Sequence, residues 1–386
     1  MRLQGRDLPT VKRLVVKVGT ASLVGSDNAI SSKKLSKIAL DVADVWSQGH
    51  ECVLVSSGAI ASGLAPLGLR ERPRRLPPLQ AAAAVGQSRL MAEYTRAFAQ
   101  RSVLIAQVLL TEDDFARRRQ FVNAQRTFEH LFAARVVPIV NENDTVATEE
   151  ITFGDNDRLA ALVAIMVKAD LLILLSDVDG IYTRRPGLDG SQFVPEVPEG
   201  LLVEATGPRS PVGSGGMASK IEAARLATSA GIPTIVANAA QKEVLPRLLA
   251  GESLGTWIPA RGQKRHAREA WMAFASSPRG RVYVDQGAQQ AVRDGGKSLL
   301  MAGVIRVRGN FGAGDPIEVV GPDGNVFARG ITRFSSRELV DRSIARHSSI
   351  GTIRNGAKPR YSEVIHRDHL ALIGQRRGEI DPEMMR

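Results

Sequence analysis

A single cysteine in 386 residues excludes any internal disulfide, so no covalent staple holds this chain. That residue, Cys52, lies in the apolar run Glu51 to Ser56 and reads as a buried structural thiol. No stretch of about 18 uninterrupted apolar residues occurs, the length a membrane-spanning helix needs. The longest candidate, 159–175, is broken by Lys168 and Asp170, so no membrane partner is expected. The N-terminus lacks a basic region followed by an apolar core and a small-residue cleavage site, and a cytoplasmic protein is expected. Internal repeats and low-complexity tracts are absent. Neither Gly-x-Gly-x-x-Gly nor Gly-x-x-x-x-Gly-Lys-Ser/Thr follows the first strands, so neither a dinucleotide fold nor a P-loop is supported.

The length allows two or three domains, and 44% hydrophobic with 24% charged residues is ordinary for a globular chain. The charge of +11 is unevenly spread. Residues 261–386 hold 22 Lys+Arg against 13 Asp+Glu, a net +9, and residues 1–260 hold 29 against 27, a net +2. A basic C-terminal third suits either nucleic acid or a merely soluble surface.

Up to about residue 260, apolar β-branched runs alternate with helical periodicity. Strands are expected at 13–18, 51–56, 103–110, 136–140, 171–175 and 234–237, the last closing the sheet. Helices are expected between them, among them one starting at Ser31-Ser32, a long one after residue 78, and ones at 121–134 and 242–249. This is an α/β pattern with a mainly parallel sheet sandwiched by helices. A break at Pro259 to Arg268 changes the texture. Short strands at 280–284, 304–307, 316–320, 326–331 and 364–365, with a helix at 285–294, suggest a small, mostly β barrel.

Polar residues gather where the strands should end. Lys17 sits at the end of a buried strand before Gly19, where it either meets an anionic ligand or snorkels to solvent. Ser57-Gly58 follows the second strand and opens a helix, a geometry that aims N–H groups at an anion. The central stretch, 141–157, carries Asn141, Asp144, Asp155, Asn156 and Asp157 between an apolar strand and an apolar helix. It suits an amine-bearing ligand beside a metal-phosphate, although Asn, Asp and Gly also simply make turns. Thr145 to Phe153 alternates enough for a hairpin. Ser214-Gly215-Gly216-Met217-Ala218-Ser219-Lys220 enters a helix as a phosphate cradle or as a linker.

The constellation resembles the amino acid kinase superfamily, and within it the glutamate 5-kinase family. The resemblance rests on Val-Val-Lys-Val-Gly-Thr (15–20), Ser-Ser-Gly-Ala-Ile (56–60), Ala-Val-Gly-Gln-Ser-Arg-Leu (84–90), Asn-Glu-Asn-Asp (141–144), Gly-Asp-Asn-Asp (154–157), Ser-Asp-Val-Asp-Gly-Ile-Tyr (176–182) and Gly-Gly-Met-x-x-Lys (215–220). Residues 279–373 resemble a PUA domain through Val284 to Ala288, Gly309 to Phe311 and Ala328 to Gly330. The implied organisation is a kinase domain at 1–260, a linker at 261–278, the PUA-like domain, and a tail at 374–386 that matches nothing.

The resemblance implies ATP-dependent phosphorylation of the L-glutamate side-chain carboxylate, the first step of proline biosynthesis. Lys17 and Lys220 would flank the phosphoryl group and Asp157 would hold them. Ser57, Gly58, Asn141, Asp144, Asp155 and Asn156 would bind glutamate, with Asp144 accepting from the ammonium and Asn156 donating to carboxylates. Lys17, Gly19, Ser176, Asp177 and 214–220 would bind ATP. Mg²⁺ would ride on the phosphates and water rather than on a protein cage. Inhibition by L-proline and a homo-oligomer are further implications. Three rival readings are a kinase for another carboxylate or carbamate, an RNA-binding or RNA-modifying protein suggested by the PUA-like domain and its charge, and an inactive sensor. The presence of Lys17, Lys220 and Asp157 weighs against the last.

Overall fold

Why the first strand is buried on both faces is plain from its sequence. Arg-Leu-Val-Val-Lys-Val has no polar alternation, and in the computed structural model β1 (Arg13–Val18) is buried at every position after its first. The structure describes residues 10–25, 29–111, 114–115, 118–146, 156–184, 186–197, 216–260, 278–341 and 363–372. The chain splits into two units, Met1–Ala267 and Arg268–Arg386.

In the first unit α1 (Ser32–Ser47) is capped by Ser31, whose Oγ accepts the Lys34 N–H. Its apolar stripe of Leu35, Ile38, Ala39, Val42, Val45 and Trp46 is buried. There follow β2 (Glu51–Ser56), α2 (Ala59–Leu64), α3 (Leu76–Ala99), β3 (Leu104–Leu110), α4 (Arg118–Ala133), β4 (Val136–Glu142), α5 (Asn156–Val167), β5 (Leu171–Ser176), α6 (Met217–Ser229), β6 (Thr234–Asn238), α7 (Val244–Leu249) and β7 (Thr256–Ile258). One sheet of seven strands runs β3-β4-β2-β1-β5-β6-β7. All pairs are parallel except the last, β6 with β7.

Two boundaries differ from expectation. Strand β4 does not stop at Val140. Asn141 and Glu142 continue it, in register with Leu109 and Leu110 of β3, and both are buried. Pairing with the edge strand therefore carries two polar residues inward. The sheet also does not end at residues 234–237, because Thr256–Ile258 adds an antiparallel edge strand to β6. That three-residue run is too short to announce itself. The hairpin expected at 145–153 lies largely outside the described residues.

Helices α2 and α3 touch backbone to backbone. A Cβ on Gly63 would lie 1.9 Å from the Ala82 carbonyl oxygen, and one on Gly86 would lie 1.7 Å from that of Ala59. Only glycine permits this approach. Because β1, β2, β4, β5 and β6 are parallel, their carboxyl ends share one edge of the sheet. Gly19, Ser57-Gly58, Asn141, Ser176-Asp177 and Asn238 all fall on it or next to it.

The second unit contains β8 (Gly280–Val284), α8 (Gln286–Arg293), β9 (Val304–Gly309), β10 (Pro316–Val320), β11 (Val326–Ile331) and β12 (Leu370–Leu372), with the sheet order β9-β8-β10-β11-β12. Asp285 caps α8 by accepting the Ala288 N–H at 2.7 Å. Val282, Ile317, Val319 and Phe327 form part of its core. Glu318 is buried on β10 and pairs with Arg281 and Arg329, its register neighbours on β8 and β11, at 2.8 Å each.

Candidate active site

Lys17 and Lys220 come from opposite halves of the first unit and meet on one carboxylate. Asp157 lies in the first turn of α5 and is fully buried. Its Oδ1 is 2.5 Å from Lys17 Nζ, and its Oδ2 is 3.0 Å from Lys220 Nζ. Ser219 Oγ lies 3.0 Å from the same Oδ2 and 2.8 Å from the Gly216 carbonyl, and its single hydrogen can be donated to either. Lys17 is 1% exposed and Lys220 7%. Two buried ammonium groups and one carboxylate leave this trio with a net positive charge. Ammonium groups held in a buried site favour the arrival of an anion. A Cβ on Gly19 would lie 3.4 Å from Lys17 Nζ, at ordinary contact distance, so this backbone runs directly beside the ammonium. The first turn of α6, Met217 to Lys220, opens after Gly216 and presents backbone N–H groups of the kind that bind phosphate.

A second polar cluster lies one residue away, at Asn156. Its Nδ2 donates to the Ser56 carbonyl at 2.8 Å and to Asn141 Oδ1 at 2.8 Å, and lies 3.1 Å from Ser57 Oγ. Asn141 Oδ1 also accepts the Glu142 N–H at 2.9 Å. The side-chain amide hydrogens of Asn156 are thus directed into the protein. Both hydrogens of that amide face protein acceptors, the Ser56 carbonyl and Asn141 Oδ1, and the Ser56 carbonyl can only accept. Gly58 has φ +106°, a conformation for glycine alone, and a Cβ there would press on Ile30. Asp144 follows β4 by two residues. Burial raises its carboxyl to about 6, against the opposing pull of the Arg72 charge.

On the other side, Ser176 ends β5 and its Oγ donates to Asp177 Oδ1 at 3.2 Å. Asn238 Nδ2 donates to Asp179 Oδ1 at 2.9 Å, and the Ala239 N–H donates to the Ser176 carbonyl at 2.8 Å. Asp155, Ser214 and Gly215 lie outside the described residues. Sequence reasoning missed four contributors: Gln87, Tyr94, Ser56 and Asn238. Tyr94 OH and Ser56 Oγ are 2.8 Å apart, and burial pushes the Tyr94 hydroxyl pKa up, so it stays neutral. Gln87 lay inside a family stretch (84–90) that carried no assigned role.

Buried lysines on a shared aspartate at the carboxyl edge of a parallel sheet define a phosphate-handling α/β enzyme. Comparison agrees. The profile of the Amino acid kinase family matches residues 12–238, and that of the PUA domain matches residues 280–353. The chain belongs to the amino acid kinase family.

Among curated proteins, a glutamate 5-kinase of Salinispora arenicola is 46% identical over 367 residues, covering 94% of this chain and 98% of that one. Those of Syntrophotalea carbinolica and Streptomyces coelicolor are 44% and 46% identical, covering 95% and 94% of this chain and 98% and 96% of their own. Within the larger family, this chain belongs with the glutamate 5-kinases.

Proposed function

We propose that Lys17, Lys220 and Asp157 form the phosphoryl-transfer centre with which this chain converts L-glutamate and ATP into L-glutamyl 5-phosphate and ADP. A side-chain carboxylate is already ionised near neutral pH, so no general base is required. One carboxylate oxygen attacks the γ-phosphorus while the bond from that phosphorus to the β,γ-bridging oxygen breaks and ADP leaves. Catalysis of this kind is positioning plus charge stabilisation. Lys17 and Lys220 would face the negative charge spread over the transferring group and the leaving oxygen. Asp157 would hold both ammonium groups at fixed distance without taking a proton. The observation that carries this reading is the buried bridge in which Lys17 and Lys220 both meet Asp157.

For glutamate, Asp144 and the Oδ1 of Asn156 are assigned to the ammonium, and Ser57 with the Gly58 N–H to carboxylate oxygens. Asn141 is assigned the support of Asn156. For ATP, Gly19, Ser176, Asp177 and the turn at 216–220 are assigned to the nucleotide, with Ser214 and Gly215 carried by the resemblance alone. Among the described residues no group of three or more His, Cys, Asp and Glu could hold a metal ion. Both Asp157 oxygens face ammonium groups. Mg²⁺ would enter bound to the ATP phosphates and water, where it neutralises phosphate charge.

The test is hydroxylamine trapping of the acyl phosphate. Wild-type protein with ATP, Mg²⁺ and L-glutamate is expected to give hydroxamate, and Lys220→Ala at least about a hundredfold less. Hydroxamate from another carboxylate but not from glutamate would move the substrate and keep the centre. Undiminished hydroxamate from Lys220→Ala would sink the assignment of that centre.

A further inference from the structure

We propose that Gln87 is a positioning residue for the glutamate site, acting through Asn141 on Asn156. The proposal rests on the reading of Asn141 and Asn156 as part of that site.

Two backbone groups fix the direction of the whole chain of amides. The Glu142 N–H can only donate, so the Asn141 atom that receives it at 2.9 Å is the oxygen. The Ser56 carbonyl can only accept, so the Asn156 atom it meets at 2.8 Å is the nitrogen. Asn141 must therefore turn its NH₂ away from Asn156. That group needs an acceptor, and Gln87 Oε1 supplies it at 2.9 Å. Gln87 in turn directs its own NH₂ to Gln107 Oε1, at 3.3 Å, on the edge strand β3. The series Gln107–Gln87–Asn141–Asn156 is polarised in one sense from the sheet edge to the site. Asn156 is left to offer an acceptor, which selects for an ammonium and against a second carboxylate.

The placement of Gln87 follows from its neighbour. Gly86 lets α3 lie against α2, since any Cβ would strike the Ala59 carbonyl. At that separation the next side chain, Gln87, reaches Asn141 at the end of β4. Tyr94 stands about two turns further along α3 on a similar face. It holds Ser56, the residue before Ser57, through a 2.8 Å contact. One helix thus supports the ends of the neighbouring strands β2 and β4.

The test is steady-state kinetics on the full chain. Gln87→Leu is expected to raise KM for L-glutamate about tenfold, the effect of one amide N–H losing its acceptor, with kcat and KM for ATP within about twofold. Asn141→Ala is expected to raise the same KM by itself, and adding Gln87→Leu to it is expected to change KM by less than about twofold. Additive effects of the two substitutions would overturn the proposal, as would an equal rise in KM for ATP. An Asn141→Ala protein with wild-type KM for glutamate would overturn the site reading and the proposal together. A raised KM in Asn141→Ala with none in Gln87→Leu would overturn the proposal alone. If Gln87→Leu does not fold, Gln87→Glu serves, because it keeps the acceptor. Its KM is expected within about threefold of wild type, and a tenfold rise would overturn the proposal.

Discussion

Asp144 shows how one residue couples binding to stability. Burial raises its carboxyl to about 6, above the ordinary value near 4. The folded chain therefore holds a proton there that the unfolded chain has lost, between about pH 4 and pH 6. Its contribution to stability falls as pH rises through that window. Asp144→Asn is expected to raise stability near neutral pH by about 2 kcal/mol, with the gain fading below about pH 4. Denaturant melts at pH 4 and pH 7.5 check this. The same carboxyl must be ionised to pair with an ammonium. KM for glutamate is expected to climb as pH drops below about 6 in the wild type, and to be high and lacking this limb in Asp144→Asn. A flat wild-type profile would remove Asp144 from the ammonium.

At the scale of elements, α3 does more than cover the sheet. Pro77 and Pro78 start it where a missing N–H costs nothing, and Gly86 brings it onto α2. Gly86→Ala improves intrinsic helix propensity by about 1 kcal/mol but forces the two backbones apart. The clash is expected to win, with a net loss of about 1–3 kcal/mol seen as a lower melting temperature. Because the same separation sets the reach of Gln87, KM for glutamate is expected to rise in this variant. A stability gain would mean that the α2–α3 contact yields without strain.

For the whole molecule, the residues assigned to phosphoryl transfer and to glutamate all lie within Met1–Ala267. That unit has its own seven-stranded sheet, and the second unit has its own core around Val282 and Ile317. A chain ending at Ala267 is expected to fold and to keep kcat for glutamate phosphorylation within about threefold, as a unit with a separate core should. Loss of activity in a folded truncation would give the second unit a part in the site. Residues 261–386 carry a net +9. On that sheet the buried Glu318 engages Arg281 and Arg329 together, while Arg306 and Arg308 on the edge strand β9 are exposed.

The alternation of apolar runs and helical periodicity determined the α/β layering, and resemblance carried by short motifs pointed to Lys17, Asp157 and Lys220. Those are properties of local spacing, which a linear chain displays. Where β4 stops depended on pairing with β3, and the edge strand β7 depended on β6 as a template. The direction of the Asn156 amide depended on a carbonyl at Ser56, a hundred positions earlier in the chain, and the role of Gln87 depended on Asn141. Only the tertiary structure decided these, because an amide has no preferred sense of its own and takes it from whichever fixed donor or acceptor folding brings beside it.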